Sequence, residues 1–312
     1  MKDLKHILVV IDPTADAQPA LARASWLAQQ AGAGATVELY ICDYDQYLAG
    51  ERFFDTTTLE KARTALIQKH HHMLDKLAQP LREKGLRTAL DVAWDHPLDE
   101  GIVKKVTETR PDLVVKDTHY HAAIRRSLFS NTDWNLIRHC PAPLMLVKAE
   151  SKPEIESIIA AVDPVHERDK PAALDRKIIE TARVLSSLGK GTVDIVHAFD
   201  PAPAYAVSAD AMSFPIAEPI NELMEGLREQ HKRALAELLE PYGFAESNVH
   251  LLEGDTRAVL ISVIDELEAD LVVMGAVSRN AVERMILGNT AELVLDHIPC
   301  DLLIVKPVAG AK

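Results

Sequence analysis

At 312 residues the chain has room for about two domains of ordinary size, and its 47% hydrophobic and 26% charged residues are those of a globular protein with real cores. A net charge of −13 and a pI near 5.5 argue against nucleic acid as a partner, because phosphate backbones are held by clustered Lys and Arg. They leave an anionic small molecule open, since backbone N–H groups alone can hold one. Cys42, Cys140 and Cys300 are odd in number and far apart, so no disulfide framework or Cys-x-x-Cys pair is expected, and a reducing cytoplasm is the natural compartment. No apolar stretch approaches the ~18–20 residues that span a bilayer, and MKDLKHILVVIDP is too short an apolar run for a signal peptide. A soluble chain with no membrane partner is expected.

The first element is the run KHILVVIDP at 5–13, which reads as a strand buried on both faces. An Ala-rich helical pattern at 16–31 carries Leu21 and Leu27, and a second strand comes next at 35–43, ATVELYICD. A long helix at 58–84 places Leu59, Ala62, Leu66, Met73, Leu77 and Leu81 at helical spacing. His70, His71 and His72 lie inside it, point in three directions and are read as surface residues. RPDLVVKD at 110–117 and HCPAPLMLVK at 139–148 read as further strands, and Trp134 near a helix start reads as core or interface. The polar, Pro-containing segment AESKPEI at 149–155 marks a boundary between two halves of the chain.

After that boundary the pattern starts again. ESIIAAVDP at 156–164 repeats the first strand, GTVDIVHAF at 191–199 the second, EADLVVMG at 268–275 the fourth and HIPCDLLIVK at 297–306 the last. The stretch 87–148 aligns with 245–306 without a gap, so that Asp112-Leu113-Val114-Val115 meets Asp270-Leu271-Val272-Val273 and Asn131-Thr132 meets Asn289-Thr290. Residues 222–240 supply a helix with Leu223, Leu227, Leu235 and Leu238. The chain is therefore a duplication, with domains at 1–149 and 155–312. Strand–helix alternation makes each an α/β domain, a doubly wound, Rossmann-like sheet of about five parallel strands. Ligands in such sheets bind at the carboxyl ends of the strands.

In the second copy those ends carry Asp163, then Gly254-Asp255-Thr256, then Gly275-Ala-Val-Ser278-Arg279, and finally Gly288-Asn289-Thr290 opening a helix. Glycines let a backbone approach phosphate closely, and a capped helix start exposes free N–H groups. The same residues also make ordinary turns, so spacing alone leaves both readings open. The pattern resembles the universal stress protein family, whose nucleotide-binding members carry Gly-x-x-Gly, nine residues, then Gly-Ser/Thr after strand four. Gly275 and Gly288 stand at the outer glycines, Ser278 replaces the middle one, and Asn289 stands where Ser or Thr is usual, with Thr290 next. The string LGNTAELVLDHIPCDLLIVKP at 287–307 and the tandem layout resemble the E-type members over nearly the whole chain. The resemblance implies an adenine nucleotide α-hydrolase-like fold with ATP or a related nucleotide in the second domain. Asp163 and Val165 would lie near adenine or ribose, and Gly275, Ser278, Arg279, Gly288, Asn289 and Thr290 around the phosphates. It also implies a protective or regulatory role under starvation, oxidants or DNA damage. The last strands, 141–148 and 299–306, would pair the two copies as an intramolecular pseudo-dimer, with a further homodimer open.

The first copy lacks this loop: Asp117, Tyr120 and Ser130 stand where the second has Gly275, Ser278 and Gly288, and Asp117 would repel phosphate. Its strand ends gather Asp12, His96, Asp117, His119 and His121 instead. These form either a solvated polar edge or a zinc or acid–base site. The Pro-rich apolar segment at 199–220 is either a lid on the core or the wall of a pocket for a lipid-like ligand. Neither a Ser–His–Asp order nor a Walker loop supports a dedicated catalyst, so the chain reads as a ligand binder with at most slow ATP hydrolysis.

Overall fold

The computed structural model describes residues 4–48, 55–118, 130–165, 173–202, 220–276 and 298–307. Two compact units emerge, Met1–Ile155 with Asp301–Ile304, and Glu156–Cys300 with Val305–Lys312.

In the first unit β1 (His6–Val10), β2 (Thr36–Asp43), β3 (Arg87–Trp94), β4 (Leu113–Asp117) and β5 (Leu144–Val147) form a parallel sheet in the order β3-β2-β1-β4-β5. The central strands are apolar because both faces are covered: Ile7, Leu8, Val9 and Leu113 to Val115 are fully buried. The helices are α1 (Pro19–Ala31), α2 (Thr56–Glu83), α3 (Leu98–Thr109) and α4 (Asn131–His139). Pro19 opens α1, where its missing N–H costs nothing, and Gly32 ends it at φ +92°. Asp55 caps α2 by accepting from Thr58 N at 3.0 Å. Residues 302–304 add to this unit an antiparallel pairing on β5, Leu302 opposite Leu146 and Ile304 opposite Leu144.

The second unit repeats the order. Its strands β6 (Ser157–Ala161), β7 (Thr192–Phe199), β8 (Val249–Glu253) and β9 (Leu271–Gly275) run parallel as β9-β6-β7-β8. Its helices are α5 (Ala173–Gly189), α6 (Ile220–Leu239) and α7 (Thr256–Glu266), and β10 (Asp301–Val305) brings Val305, whose carbonyl accepts from Ala276 N at 3.0 Å. The duplication extends to single hydrogen bonds. Asp112 accepts from Lys5 N and His6 N, both at 2.9 Å, and Asp270 accepts from Glu156 N and Ser157 N at 2.8 and 3.0 Å. Arg110 and Glu268, two residues upstream of these aspartates, both take positive φ, at 48° and 47°.

One sequence reading needs correction. His70 is buried at 5% exposure, and its Nε2 donates to Asp43 Oδ2 at 2.7 Å, while His71 and His72 are exposed. Helical spacing explains it: His70 shares the inner stripe of α2 with Leu74, Ala78 and Leu81. Met73 and Leu77 are only half-buried, and Trp134 is half-buried beneath the Arg138 guanidinium, 5.7 Å from its ring centre. All three cysteines are buried, and burial pushes the Cys42 thiol up to about 11, as befits an inert core residue.

A polar network lies inside the first unit. Glu38, 7% exposed, meets His6 Nε2 at 2.7 Å and Lys105 Nζ at 2.6 Å, and Lys105 also reaches Asp91 at 2.7 Å. Burial alone would raise the Glu38 carboxyl, but the hydrogen bonds and charge of His6 and Lys105 outweigh it and hold it below its ordinary value. A carboxyl lowered on folding contributes stability above its unfolded value, and that contribution disappears as pH falls through the folded value. Urea unfolding of this unit is therefore expected to shift to lower midpoint below about pH 5, with a shallower decline in Glu38→Gln. All three tryptophans, Trp26, Trp94 and Trp134, lie in this unit, so their fluorescence reports on it alone.

Candidate functional site

The carboxyl edge of the second unit begins where β6 runs out. Val162 N donates to Val196 O at 3.0 Å, Asp163 N donates to Asp175 Oδ1 at 3.0 Å, and Asp163, Pro164 and Val165 are half-buried. The first of these joins is reinforced by a buried histidine pair. His197 on β7 donates from Nδ1 to Val162 O at 3.1 Å, and its Nε2 lies 2.7 Å from Nδ1 of His231 on α6. A carbonyl only accepts, so Nδ1 of His197 carries a proton. Phe199 stacks on His231 with ring centres 4.3 Å apart. The pair thus ties α6 and β7 to the backbone just before Asp163.

Gly254 comes after β8 at φ +142°, a conformation that favours glycine, and Asp255 caps α7 by accepting from Ala258 N at 2.9 Å. Gly275 ends β9. A Cβ there would lie 2.6 Å from Leu174 Cδ2, so the absent side chain lets α5 pack directly on the strand. The glycine has a packing reason as well as the phosphate reason suggested by sequence. Ser278, Arg279, Gly288, Asn289 and Thr290 lie outside the described residues, as does most of the 199–220 segment.

The first unit closes the same edge differently. Asp117, at the place of Gly275, is 4% exposed, and its Oδ1 accepts from Ala20 N at 2.5 Å, at the start of α1. A carboxylate there takes up the positive end of the helix. Beside it Lys116 Nζ meets Asp133 Oδ1 at 2.9 Å and donates to Asp117 O at 2.8 Å. Asp133 also accepts from Ser130 N at 2.9 Å in a reciprocal capping box. The strand end is thus filled by the protein's own charges.

Of the other first-copy residues, Asp12 Oδ1 accepts from Thr14 N at 2.7 Å and Thr14 Oγ1 at 2.6 Å, and the His96 ring lies 4.4 Å from that of Tyr44. His119 and His121 lie outside the described residues. Among the described residues no group of three or more His, Cys, Asp and Glu is placed to hold a metal ion. No helix among them is long and apolar enough to cross a membrane.

Sequence reasoning missed the two helix histidines. His70 and His231 each precede a leucine by four residues, Leu74 and Leu235, and each bonds to the second strand of its own unit, at Asp43 and His197. Aligning the helices as well as the strands would have exposed the shared His-x-x-x-Leu.

Comparison with known proteins agrees with this geometry. The universal stress protein family model matches twice, at residues 3–148 and 155–306. Universal stress protein E of Escherichia coli K12 is 32% identical over 304 residues, covering 97% of this chain and 94% of its own. That of Photorhabdus laumondii is 30% identical over 309 residues, covering 98% and 96%. A functionally unknown protein from Pseudomonas aeruginosa PAO1 has a TM-score of 0.73 at 25% identity, covering 98% of this chain and 94% of that one. A universal stress protein from Archaeoglobus fulgidus shares the fold, with a TM-score of 0.64 at 14% identity over 97% of this chain and 98% of its own. Two family matches in tandem and full-length relatives at 30–32% identity place the chain in the universal stress protein family, as a tandem-domain member.

Proposed function

We propose that the chain is a stress-response protein with a protective or regulatory role whose second unit binds an adenine nucleotide at the carboxyl ends of β6 and β9. The supporting observation is the contrast at one repeated position. Asp117 fills the end of β4 and engages the start of α1, whereas Gly275 brings neither side chain nor charge to the end of β9. Asp163 and Val165, half-buried at the end of β6, would face adenine or ribose. By family resemblance Ser278, Arg279 and the turn Gly288-Asn289-Thr290 would surround the phosphates with a helix start.

Calorimetric titration with Mg-ATP tests the reading. Asp163→Ala and Gly288→Asp are each expected to weaken binding at least ten-fold, about 1.4 kcal/mol. The absence of both binding heat and thermal shift with ATP, ADP and AMP would overturn it.

A further inference from the structure

We propose that the first unit carries a separate site for a small organic polycation of the polyamine type, in the cavity at the carboxyl ends of β2 and β3. The cavity has a volume of about 700 Å³. Its chemistry comes from Asp43 at the end of β2, Tyr44, Asp45 and Tyr47 after it, His96 after β3 and Asp99 in the first turn of α3. Three carboxylates and two phenols line it, and no Lys or Arg does among the described residues.

Each part has a local cause. His70 pins Asp43 at 2.7 Å from within α2. The Tyr44 ring packs 4.4 Å from His96 and 5.6 Å from Trp94, giving an aromatic wall. Asp45 Oδ1 accepts from Tyr47 N at 2.8 Å, and the turn leaves Tyr47 62% exposed, the most exposed large hydrophobic side chain among the described residues. A ring that far into solvent contributes little to the core.

The ligand class is set by what this lining favours and rejects. A phosphate or carboxylate would meet three carboxylates with no Lys or Arg in the described lining, and the Arg63 guanidinium is taken up by Leu48 O and the Trp94 ring. A single metal ion would need ligands converging on one point, which no group of described residues provides. An ammonium is attracted both by carboxylates and by aromatic faces. Several ammonium groups joined by methylene segments would meet the carboxylates one at a time and lay apolar stretches on the tyrosines. The site does not depend on the nucleotide reading, because it lies in the other unit and takes the opposite charge.

Spermidine titrated into the full chain is the test, with adenosine as a neutral aromatic comparison. One spermidine per chain is expected. Asp45→Asn combined with Asp99→Asn should raise its Kd roughly ten-fold or more, since two of three attracting charges are removed. Asn at 45 keeps the acceptor for Tyr47 N, and tryptophan fluorescence checks folding. The pair Glu60→Gln and Glu108→Gln removes two exposed charges from the same unit outside the cavity, and should leave the Kd unchanged, which separates the site from the general attraction of a chain with net charge −13. The proposal is overturned by no saturable binding at millimolar spermidine, by equal weakening in both double variants, or by adenosine binding in the cavity with spermidine excluded.

Discussion

Arg23→Met is expected to destabilise the first unit by about 3–5 kcal/mol, because it leaves a buried carboxylate uncompensated. Arg23 is 1% exposed and its Nη2 lies 2.7 Å from Asp301 Oδ2, whose side chain is fully buried. Its Nη1 donates to Pro153 O at 3.0 Å and Glu154 O at 2.7 Å, so the substitution also strips two carbonyls of their donor. Burial pushes the Asp301 carboxyl upward, and Arg23 is the largest influence holding it down, ahead of Ser151 and Lys148 N. Adding Asp301→Asn to Arg23→Met removes the stranded charge while keeping an acceptor for Lys148 N, 2.9 Å away. The double variant should therefore regain about 1–2 kcal/mol over the single one. Urea unfolding monitored by tryptophan fluorescence reads the difference. Equal stability of the single and double variants would show that the charge pair is not what matters.

The second large effect concerns Lys116 and Asp133, where the two repeats use different chemistry. Asp133 is fully buried against Lys116 Nζ at 2.9 Å, whereas the second repeat has Met274 and Ala291 at the same offset. Lys116→Met alone imitates half of the second repeat and strands Asp133, at a cost of about 3 kcal/mol or more. Lys116→Met with Asp133→Ala imitates both halves and loses mainly the capping box, about 1 kcal/mol. The double variant should thus be more stable than the single one, by thermal or urea unfolding. The reverse order would mean that Asp133 does not depend on Lys116.

These two pairs show where the sequence was informative. The strands were legible because apolar runs repeat at one offset, and Asp112 and Asp270 repeat with them. The shared identity there reports a shared job, holding the start of the first strand in each unit. The Lys116–Asp133 pair was hidden because it has no counterpart in the second repeat. Arg23 and Asp301 were hidden for another reason: they stand 278 positions apart, and a buried Arg on an Ala-rich helix has no pattern of its own. His70 was misread because three adjacent histidines were weighed together, when a helix buries only one of them.

The candidate sites divide in the same way. Asp163 and Gly275 were legible as strand-end residues because strand ends are predictable from alternation, whereas Val165 entered only through the family resemblance. Asp117 was read as a charge hostile to phosphate and as part of a histidine–aspartate edge, and the structure adds the N–H of α1 that it engages. The tyrosine and carboxylate lining of the first-unit cavity could not be seen, because its members come from two stretches far apart in sequence, at the end of β2 and at the start of α3, and carry no motif.

The central claim is that one fold, duplicated, serves two chemistries, with the nucleotide held by the second unit alone. Native mass spectrometry of the full chain with Mg-ATP counts the sites directly. One nucleotide per chain is predicted, lost in Asp163→Ala and kept in Asp45→Asn with Asp99→Asn. Two nucleotides per chain, or one that persists in Asp163→Ala, would contradict it.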